Sequence, residues 1–373
     1  MRIVHVSDCY APRTGGIETQ VRDLARTQAA AGHEVHVLTA TPGEDGERGG
    51  VRTDDDGVTV HRLGTHMPFD LPVNPAAPPR MRALLAEIDP DVVHVHAGVV
   101  SPFAFDGVRV ALDAGAPVAV TWHCMLDGTV PAMRVAARHS RWGHAPMALS
   151  AVSSAAAERV ASVFDAPVSV VPNGMDLERW APHGLPASDG ALHVVATMRL
   201  APRKRGSALI AVVEDAVSQL PEGSLRVDVY GAGPMQARMA RSVRRRGLED
   251  VVTLHGAVPR ESLREAYREA HVFLAPAVLE AFGIAALEAR TSGLVVVAHR
   301  GTGVAEFVTH EEDGLLVDDD AAMARAVVRL VREPDLRARL QAQARSARPP
   351  FTWTRVLEHA EAEYRRAQEI AGR

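Results

Sequence analysis

Cysteine is nearly absent: the 373 residues hold only Cys9 and Cys124. Two thiols cannot build a disulfide framework, and neither belongs to a Cys-x-x-Cys pair, so a disulfide-stapled scaffold is excluded and a reducing, cytoplasmic setting is the simplest expectation. Long apolar runs are missing too. No window approaches 18 uninterrupted apolar residues, so no membrane-spanning helix is expected, while peripheral contact with a membrane surface stays open. The opening Met1-Arg2-Ile3-Val4-His5-Val6 runs straight into a strand-like segment and lacks the cleavage site of a signal peptide. Neither sign of charge dominates. Lys and Arg number 41 against 46 Asp and Glu, and the formal charge of −5 gives no global electrostatic case for nucleic acid.

What is present reads as folded α/β protein. Apolar residues make up 47% and charged residues 23% of the chain, and its length exceeds what one ordinary core organises, so two domains are expected. Short valine-rich runs alternate with helical patterns: Arg2–Ser7, Glu34–Thr39, Val58–Leu63, Val92–His96 and Pro117–Thr121 read as strands. Between the first two, Ile17, Val21, Leu24 and Ala25 recur at helical spacing, with Gly32 where a helix C-cap belongs. Such alternation implies right-handed parallel crossovers and a sheet covered on both faces. After Val168–Val171 the pattern restarts with His193–Met198, Leu225–Tyr230, Val251–His255, Val272–Leu274, Leu294–Ala298 and Leu315–Val317. The expected division is residues 1–171, residues 172–352 with a linker at about 172–190, and a helix from Trp353 that packs back on the first domain.

Open α/β sheets bind ligands at the carboxyl ends of their strands, so the loops there carry the chemistry. Ala11-Pro12-Arg13-Thr14-Gly15-Gly16-Ile17-Glu18 leads from strand to helix; paired glycines and a helix N-terminus suit a phosphate, though a plain tight turn reads equally well. Tyr230-Gly231-Ala232-Gly233-Pro234 opens like a dinucleotide fingerprint, but Gln236 stands at its third glycine position, and tight helix–strand packing is the expected role. Arg199, Arg203, Lys204 and Arg205 put four cations in seven residues after a strand, which matches the need of a diphosphate. Arg203 and Arg205 are assigned instead to a solvated basic face. Glu280 precedes Gly283, which opens a helix, and Glu288 lies about 7–8 Å further along that helix. Two acceptors at different depths can grip the hydroxyls of a sugar and a ribose; a dipole-favouring charge and a surface glutamate are the plainer alternative.

In this order the pieces resemble the family-4 retaining glycosyltransferases of the GT-B fold, in which two Rossmann-like domains face each other across a cleft. The resemblance spans essentially the whole chain. It is carried by Gly15-Gly16-Ile17-Glu18, Thr121-Trp122-His123, Val171-Pro172-Asn173-Gly174-Met175-Asp176, and Arg199 with Lys204. Tyr230-Gly231-Ala232-Gly233-Pro234, His255-Gly256-Ala257-Val258, Glu280-x7-Glu288 and Phe351-Thr352-Trp353 complete it. The resemblance implies a nucleoside-diphosphate sugar as co-substrate and a hydroxyl-bearing acceptor, small or lipid-linked. Gly16 is then assigned to the donor pyrophosphate or acceptor, His123 to the donor sugar, and Arg199 and Lys204 to the diphosphate. Glu280, with main-chain N–H groups of Phe282, Gly283, Ile284 and Ala285, is assigned to the sugar hydroxyls. Glu288 is assigned to the ribose, and Gly256 and Val258 to the nucleobase. Two departures stand out: the family has Gly where this chain has Met198, and its Lys is followed directly by Gly, where Arg205 intervenes here.

The resemblance further implies same-face transfer through an oxocarbenium-like transition state, with electrostatic support for the departing diphosphate. No Asp-x-Asp motif stands at a strand end: Asp54-Asp55-Asp56 reads as a turn and Asp318-Asp319-Asp320 as a loop and helix start, so no obligatory metal is expected. His94 and His96 alternate on one strand with His123 on a nearby one, which could suggest zinc; without Cys or acidic ligands at metal spacing, polar residues at the cleft end of strands are the expected reading. Arg134, Arg138 and Arg141 read as a solvated helical face rather than an acceptor patch. The rival functions are a nucleotide-sugar epimerase of the same fold, a nicotinamide dehydrogenase lacking a full Gly-x-Gly-x-x-Gly unit, and a non-catalytic carbohydrate-binding relative.

Overall fold

The chain is described by a computed structural model, which covers every residue except Thr14, residues 66–73, Ser140, His183, residues 185–189 and Arg373, along with the side chains of Arg141 and Trp142. It forms two compact units, Met1–Met175 with Phe351–Arg373, and Asp176–Pro350.

The first unit contains β1 (Arg2–Ser7), α1 (Gly16–Ala30), β2 (Glu34–Thr39), β3 (Val51–Asp55), β4 (Val58–Arg62) and α2 (Ala77–Ile88). It continues through β5 (Val92–Ala97), α3 (Pro102–Asp113), β6 (Val118–Trp122), α4 (Val130–His139), β7 (Ala148–Ala151), α5 (Ser154–Phe164) and β8 (Val168–Val170). The sheet order is β3-β4-β2-β1-β5-β6-β7-β8, parallel except for the β3–β4 hairpin. Strand β1 pairs on one side with β2 and on the other with β5, so the connections reverse direction there and the loops after these two strands diverge. The Asp54-Asp55-Asp56 run is therefore not a simple turn: Asp54 and Asp55 close strand β3, and Asp55 accepts from Arg22, Arg26 and Tyr10. Its exposed pattern leaves no apolar alternation to find. Strand β7, Ala-Leu-Ser-Ala, is too short and alanine-rich to announce itself.

The second unit contains β9 (Leu192–Thr197), α6 (Gly206–Val217), β10 (Leu225–Tyr230), α7 (Gln236–Arg245), β11 (Val252–Gly256) and α8 (Arg260–Glu269). Then come β12 (Val272–Ala275), α9 (Ile284–Thr291), β13 (Val295–His299), β14 (Gly314–Val317), α10 (Asp320–Arg332) and α11 (Pro334–Ser346). Its order, β11-β10-β9-β12-β13-β14, is the doubly wound 3-2-1-4-5-6 arrangement, with the switch point between β9 and β12. One face of the strands buries Val194, Ala196, Val227, Val229, Val295 and Val297 against Leu209, Val213, Met323 and Val327 of α6 and α10.

Helix α12 (Trp353–Ala371) closes the chain in the first unit. Val356, Ala360, Tyr364 and Ala367 form its buried stripe, packed on Ile3, Val92, Ala119 and Ala148. None of the described helices is long and apolar enough to cross a membrane. The chain crosses between units at Met175–Asp176, more narrowly than the 172–190 segment expected of it. Pro172–Met175 are bound into the first unit: Gly174 exchanges two hydrogen bonds with Gln20 at 2.9 and 3.0 Å, and Met175 N–H donates to Phe351 O. Beyond Asp176, Trp180 is buried beside Tyr267 of the second unit.

The Gly231-Ala232-Gly233 loop serves packing. Met198 N–H donates to Tyr230 O and Leu200 N–H to Ala232 O, lacing the segment after β9 to the segment after β10. An added Cβ on Gly231, whose φ is +127°, would sit 1.9 Å from Met198 O. Gly231→Ala should therefore destabilise the protein by roughly 2–3 kcal/mol, strain plus clash, read as a drop in the urea midpoint. Gly223→Ala, where φ is +74° but the space is open, should cost about 1 kcal/mol.

Candidate active site

The two loops that part at the β9/β12 switch point carry the cations and the first carboxylate. After β9 the backbone, laced to Tyr230 and Ala232, delivers Lys204 at the end of a 3-10 turn (Pro202–Lys204). After β12 the chain reaches Glu280, whose carbonyl accepts from Gly303 N–H at 2.8 Å. Gly303 is required there, because a Cβ would lie 2.0 Å from Ala281 O. The result is an ion pair between Lys204 Nζ and Glu280 Oε2, each side chain about one-fifth exposed. Arg199 and Arg203 are exposed on the same segment.

Arg205 does not join the solvated basic face expected of it. It takes φ +58°, the left-handed region that favours glycine, and its guanidinium donates to both carboxylate oxygens of Asp320 (2.9 and 2.7 Å) and to Pro276 O. The family's glycine after the lysine fits that backbone without strain. Here an arginine holds the same conformation, and its bidentate pair offsets the steric cost.

Gly283 (φ +93°) precedes α9, and Phe282 is buried against Phe307, so the Glu280–Ala285 segment is held from both ends. Ile284 and Ala285 begin the helix, and Glu288 sits on its buried face, 5% exposed. Glu288 Oε1 accepts from Arg260 of α8 at 2.9 Å, a partner that no motif in the sequence points to. Burial pushes the Glu288 carboxyl up to about 7, against the opposing charge and hydrogen bond of Arg260. Gly256 (φ +73°) ends β11, and its carbonyl accepts from Gly231 N–H at 2.7 Å; Val258 is partly buried two residues on. Beside it Tyr230 and His255 stack at 4.5 Å, and buried Asp228 accepts from His255 and His193 at 2.6 Å each. Lys204 and Glu280 are thus in contact. Arg199, Gly256, Val258 and Glu288 lie on the loops and helix at the same end of the sheet.

In the first unit Gly16 begins α1 after the extended Gly15, and the Glu18 carboxylate lies against Gly15, paired with Arg13 at 3.3 Å. Buried Asp8 ends the β1 segment and accepts from Phe103 N–H at the start of α3 at 3.1 Å; burial raises its carboxyl to about 6. His123 follows β6 directly and is one member of a histidine cluster. Its Nε2 meets His96 Nδ1 at 3.0 Å, and His96 Nε2 meets His5 Nδ1 at 2.9 Å. His5 carries no sequence signal of its own, because it alternates with valines in a strand and looks like ordinary core. Burial pushes His5 and His123 down to about 4 and His94 and His96 well below their ordinary value, so the cluster is neutral near pH 7. Ring nitrogens of His5, His94 and His96 converge within 4.8 Å, a different trio from the His94, His96 and His123 weighed as zinc ligands. Every ring nitrogen of that trio already has a hydrogen-bond partner. A small cavity of about 20 Å³, room for one water, lies against His94, His96, His123, Gln20, Asn173 and Trp353, with Leu24, Val171 and Val356 making much of its wall apolar. The helix α4 carries Arg134 and Arg138, and Arg134 Nε donates to Ser162 O at 2.6 Å, so at least this arginine is bound back to the fold.

Residues 14–179 match the family model Glycosyltransferase Family 4, and residues 185–347 match the model Glycosyl transferases group 1. The chain belongs to the GT4-like glycosyltransferases of GT-B type. As a glycosyltransferase it is similar to a phosphatidylinositol N-acetylglucosaminyltransferase chain of Arabidopsis thaliana, with 27% identity over 338 residues, 89% of this chain and 74% of that one. It is 28% identical over 391 residues to the D-inositol 3-phosphate glycosyltransferase of an Arthrobacter species, covering 95% and 91% of the two chains. In fold the glycosyltransferase is similar to Anabaena HepE, solved in complex with UDP, with a TM-score of 0.74, 18% identity, and 97% and 99% of the chains covered.

The raised Glu288 carboxyl makes stability depend on pH. The folded state holds this proton up to about pH 7 and the unfolded state only to about 4.5, so the stabilising term is complete below 4.5 and lost as pH rises through 7. Glu288→Gln should therefore gain stability relative to wild type across that window, by about 3 kcal/mol in total. Paired urea denaturation curves at pH 4.5 and 8 read the difference; a gap that does not change with pH would contradict it.

Proposed function

We propose that this glycosyltransferase is a retaining hexosyltransferase, moving a hexose-type sugar from a nucleoside-diphosphate sugar to an acceptor hydroxyl. The observation that carries the reading is the Lys204–Glu280 pair at the switch point, with buried Glu288 further along the adjoining helix. In the free protein the two charges neutralise each other. A donor replaces each partner in kind: the diphosphate takes Lys204, and the sugar hydroxyls donate to Glu280, so neither charge is stranded in a desolvated site. Arg199 adds a second cation for the diphosphate as negative charge develops on it. The N–H groups of Phe282, Gly283, Ile284 and Ala285 are donors for the sugar, while Glu288 accepts from the ribose hydroxyls. Gly256 and Val258 adjoin the nucleobase.

Gly16 is assigned to the pyrophosphate or acceptor and His123 to a donor-sugar hydroxyl. No obligatory metal enters this scheme; the cations do that work. With no protein nucleophile in the scheme, the departing phosphate oxygen accepts the acceptor's proton as the new glycosidic bond forms on the same face. Both curated relatives carry names with inositol-containing acceptors, so inositol phosphate and phosphatidylinositol are the first acceptors to try, the latter requiring contact with a membrane surface.

The test is transfer itself, with UDP- and GDP-sugars offered alongside these acceptors and the product's anomeric configuration read by NMR. Retention is expected, and activity should survive chelation by EDTA. Lys204→Ala and Glu288→Ala should each lower kcat/KM on the order of 10²- to 10³-fold with the fold intact by circular dichroism. Wild-type turnover by both variants, an inverted product, or isomerised donor without transfer would reject the reading.

A further inference from the structure

The histidine cluster in the first unit belongs to a hydrogen-bonded chain whose direction is set from one end. Val120 O, a carbonyl and therefore only an acceptor, receives Ser150 Oγ–H at 3.3 Å. Ser150, its proton committed, accepts from Thr121 Oγ1 at 2.8 Å. Thr121 must then accept from His94 Nε2–H at 2.7 Å. A neutral imidazole protonated on Nε2 bears a lone pair on Nδ1, so Tyr364 O–H donates to His94 Nδ1 at 2.9 Å. Tyr364 in turn accepts from the Gln28 amide nitrogen at 2.7 Å, which leaves the Gln28 carbonyl facing His5 Nε2–H at 2.7 Å. His5 Nδ1 then accepts from His96 Nε2–H at 2.9 Å, and His96 Nδ1 from His123 Nε2–H at 3.0 Å. His5, Gln28, His94, His96, Thr121, Ser150 and Tyr364 are all buried, so each of these polar groups depends on the next for its hydrogen bond.

We propose that Gln28, oriented by Tyr364 of α12 and acting through His5 and His96, fixes His123 as the Nε2–H tautomer, so that Nδ1 of His123 is its hydrogen-bond acceptor. Gln28, His5, His96 and Tyr364 are positioning residues. This rests on the assignment of His123 to a donor-sugar hydroxyl: in that role His123 receives the hydroxyl's hydrogen bond on Nδ1 and carries no proton there. The reverse arrangement needs every member of the chain to turn at once, including the Gln28 amide, and leaves Val120 O without Ser150. One amide thus sets the chemistry of a ring two histidines away. The chain also consumes the nitrogens of the His5, His94 and His96 trio, which assigns that convergence to hydrogen bonding rather than to a cation.

The full-length protein labelled with ¹⁵N-histidine tests this by two-bond proton–nitrogen correlation, with His123 assigned from a His123→Asn spectrum. The wild type should show His5, His94, His96 and His123 all as Nε2–H tautomers. Tyr364→Phe leaves the Gln28 amide free to turn, and Gln28→Leu removes the carbonyl; each should give a mixed pattern at His123. Their kcat should fall roughly two- to tenfold, as the competent tautomer becomes a fraction of the population, with donor KM nearly unchanged. A wild-type His123 protonated on Nδ1 overturns the proposal whether or not the variants fold. So does a pure Nε2–H pattern in both variants, or a zinc-induced shift of the His5, His94 and His96 ring nitrogens. If the tautomers behave as stated but His123→Asn transfers sugar at the wild-type rate, the chain stands and the functional assignment of His123 falls.

Discussion

Where the strand order of a parallel sheet reverses, the flanking loops turn to opposite faces, and the carboxyl ends of the two central strands are left without cover. That gap between β9 and β12 is the constraint on which the second unit's chemistry depends. It is closed by charge: Lys204 from one loop meets Glu280 from the other. Much of the surrounding sequence holds these two loops in place. Gly231 and Gly233 allow the post-β9 segment to be laced to its neighbour, Gly303 backs the post-β12 segment, and Arg205 ties the start of α6 to Asp320 at the start of α10. An ion pair at a gap of this kind suits exchange, since a ligand carrying both a phosphate and hydroxyls can satisfy each charge in turn. Glu288 is held differently, buried and only partly compensated by Arg260. Keeping a carboxyl in that setting lowers stability at neutral pH, which is the usual mark of a group retained for binding rather than for folding.

The first unit meets a similar burial of polarity with neutral groups. Four histidines, a glutamine, a tyrosine and two hydroxyl side chains form one directed chain between β-strands and the last helix. Because each imidazole is both donor and acceptor, the burial strands no charge, but every bond depends on the next. Tyr364 links residues more than 300 positions apart in sequence and gives α12 a reason to return to the first unit beyond its apolar stripe.

Much of this architecture is legible in the sequence, for identifiable reasons. Buried parallel strands are valine-rich on both faces, so β1, β2, β10 and the helix from Trp353 stand out by run and period. The strands that escape, β3 and β7, are an exposed edge and an alanine-rich tetrapeptide, and neither carries a periodic apolar signal. At the site, the spacing from Glu280 to Glu288 and the cation cluster point to the right loops, but pairings between distant segments do not show. Lys204 with Glu280, Glu288 with Arg260, and Arg205 with Asp320 each join residues 28 to 115 positions apart. Arg205 misleads because a charge run looks the same whether it is solvated or clamped. The histidines of β1 and β5 resemble mere composition because only the sheet register sets His5 beside His94 and two residues along from His96, on the same face.

The central claim is that the β9/β12 gap takes a diphosphate. Calorimetric titration of the full-length protein with UDP and GDP, each compared with its nucleoside, tests it most directly. One diphosphate should bind at one site per chain, weaken as salt rises, and bind at least about tenfold more tightly than its nucleoside, since a charge-assisted clamp is lost without the phosphates. Equal affinity for nucleoside and diphosphate, or no binding of either diphosphate, would contradict the account.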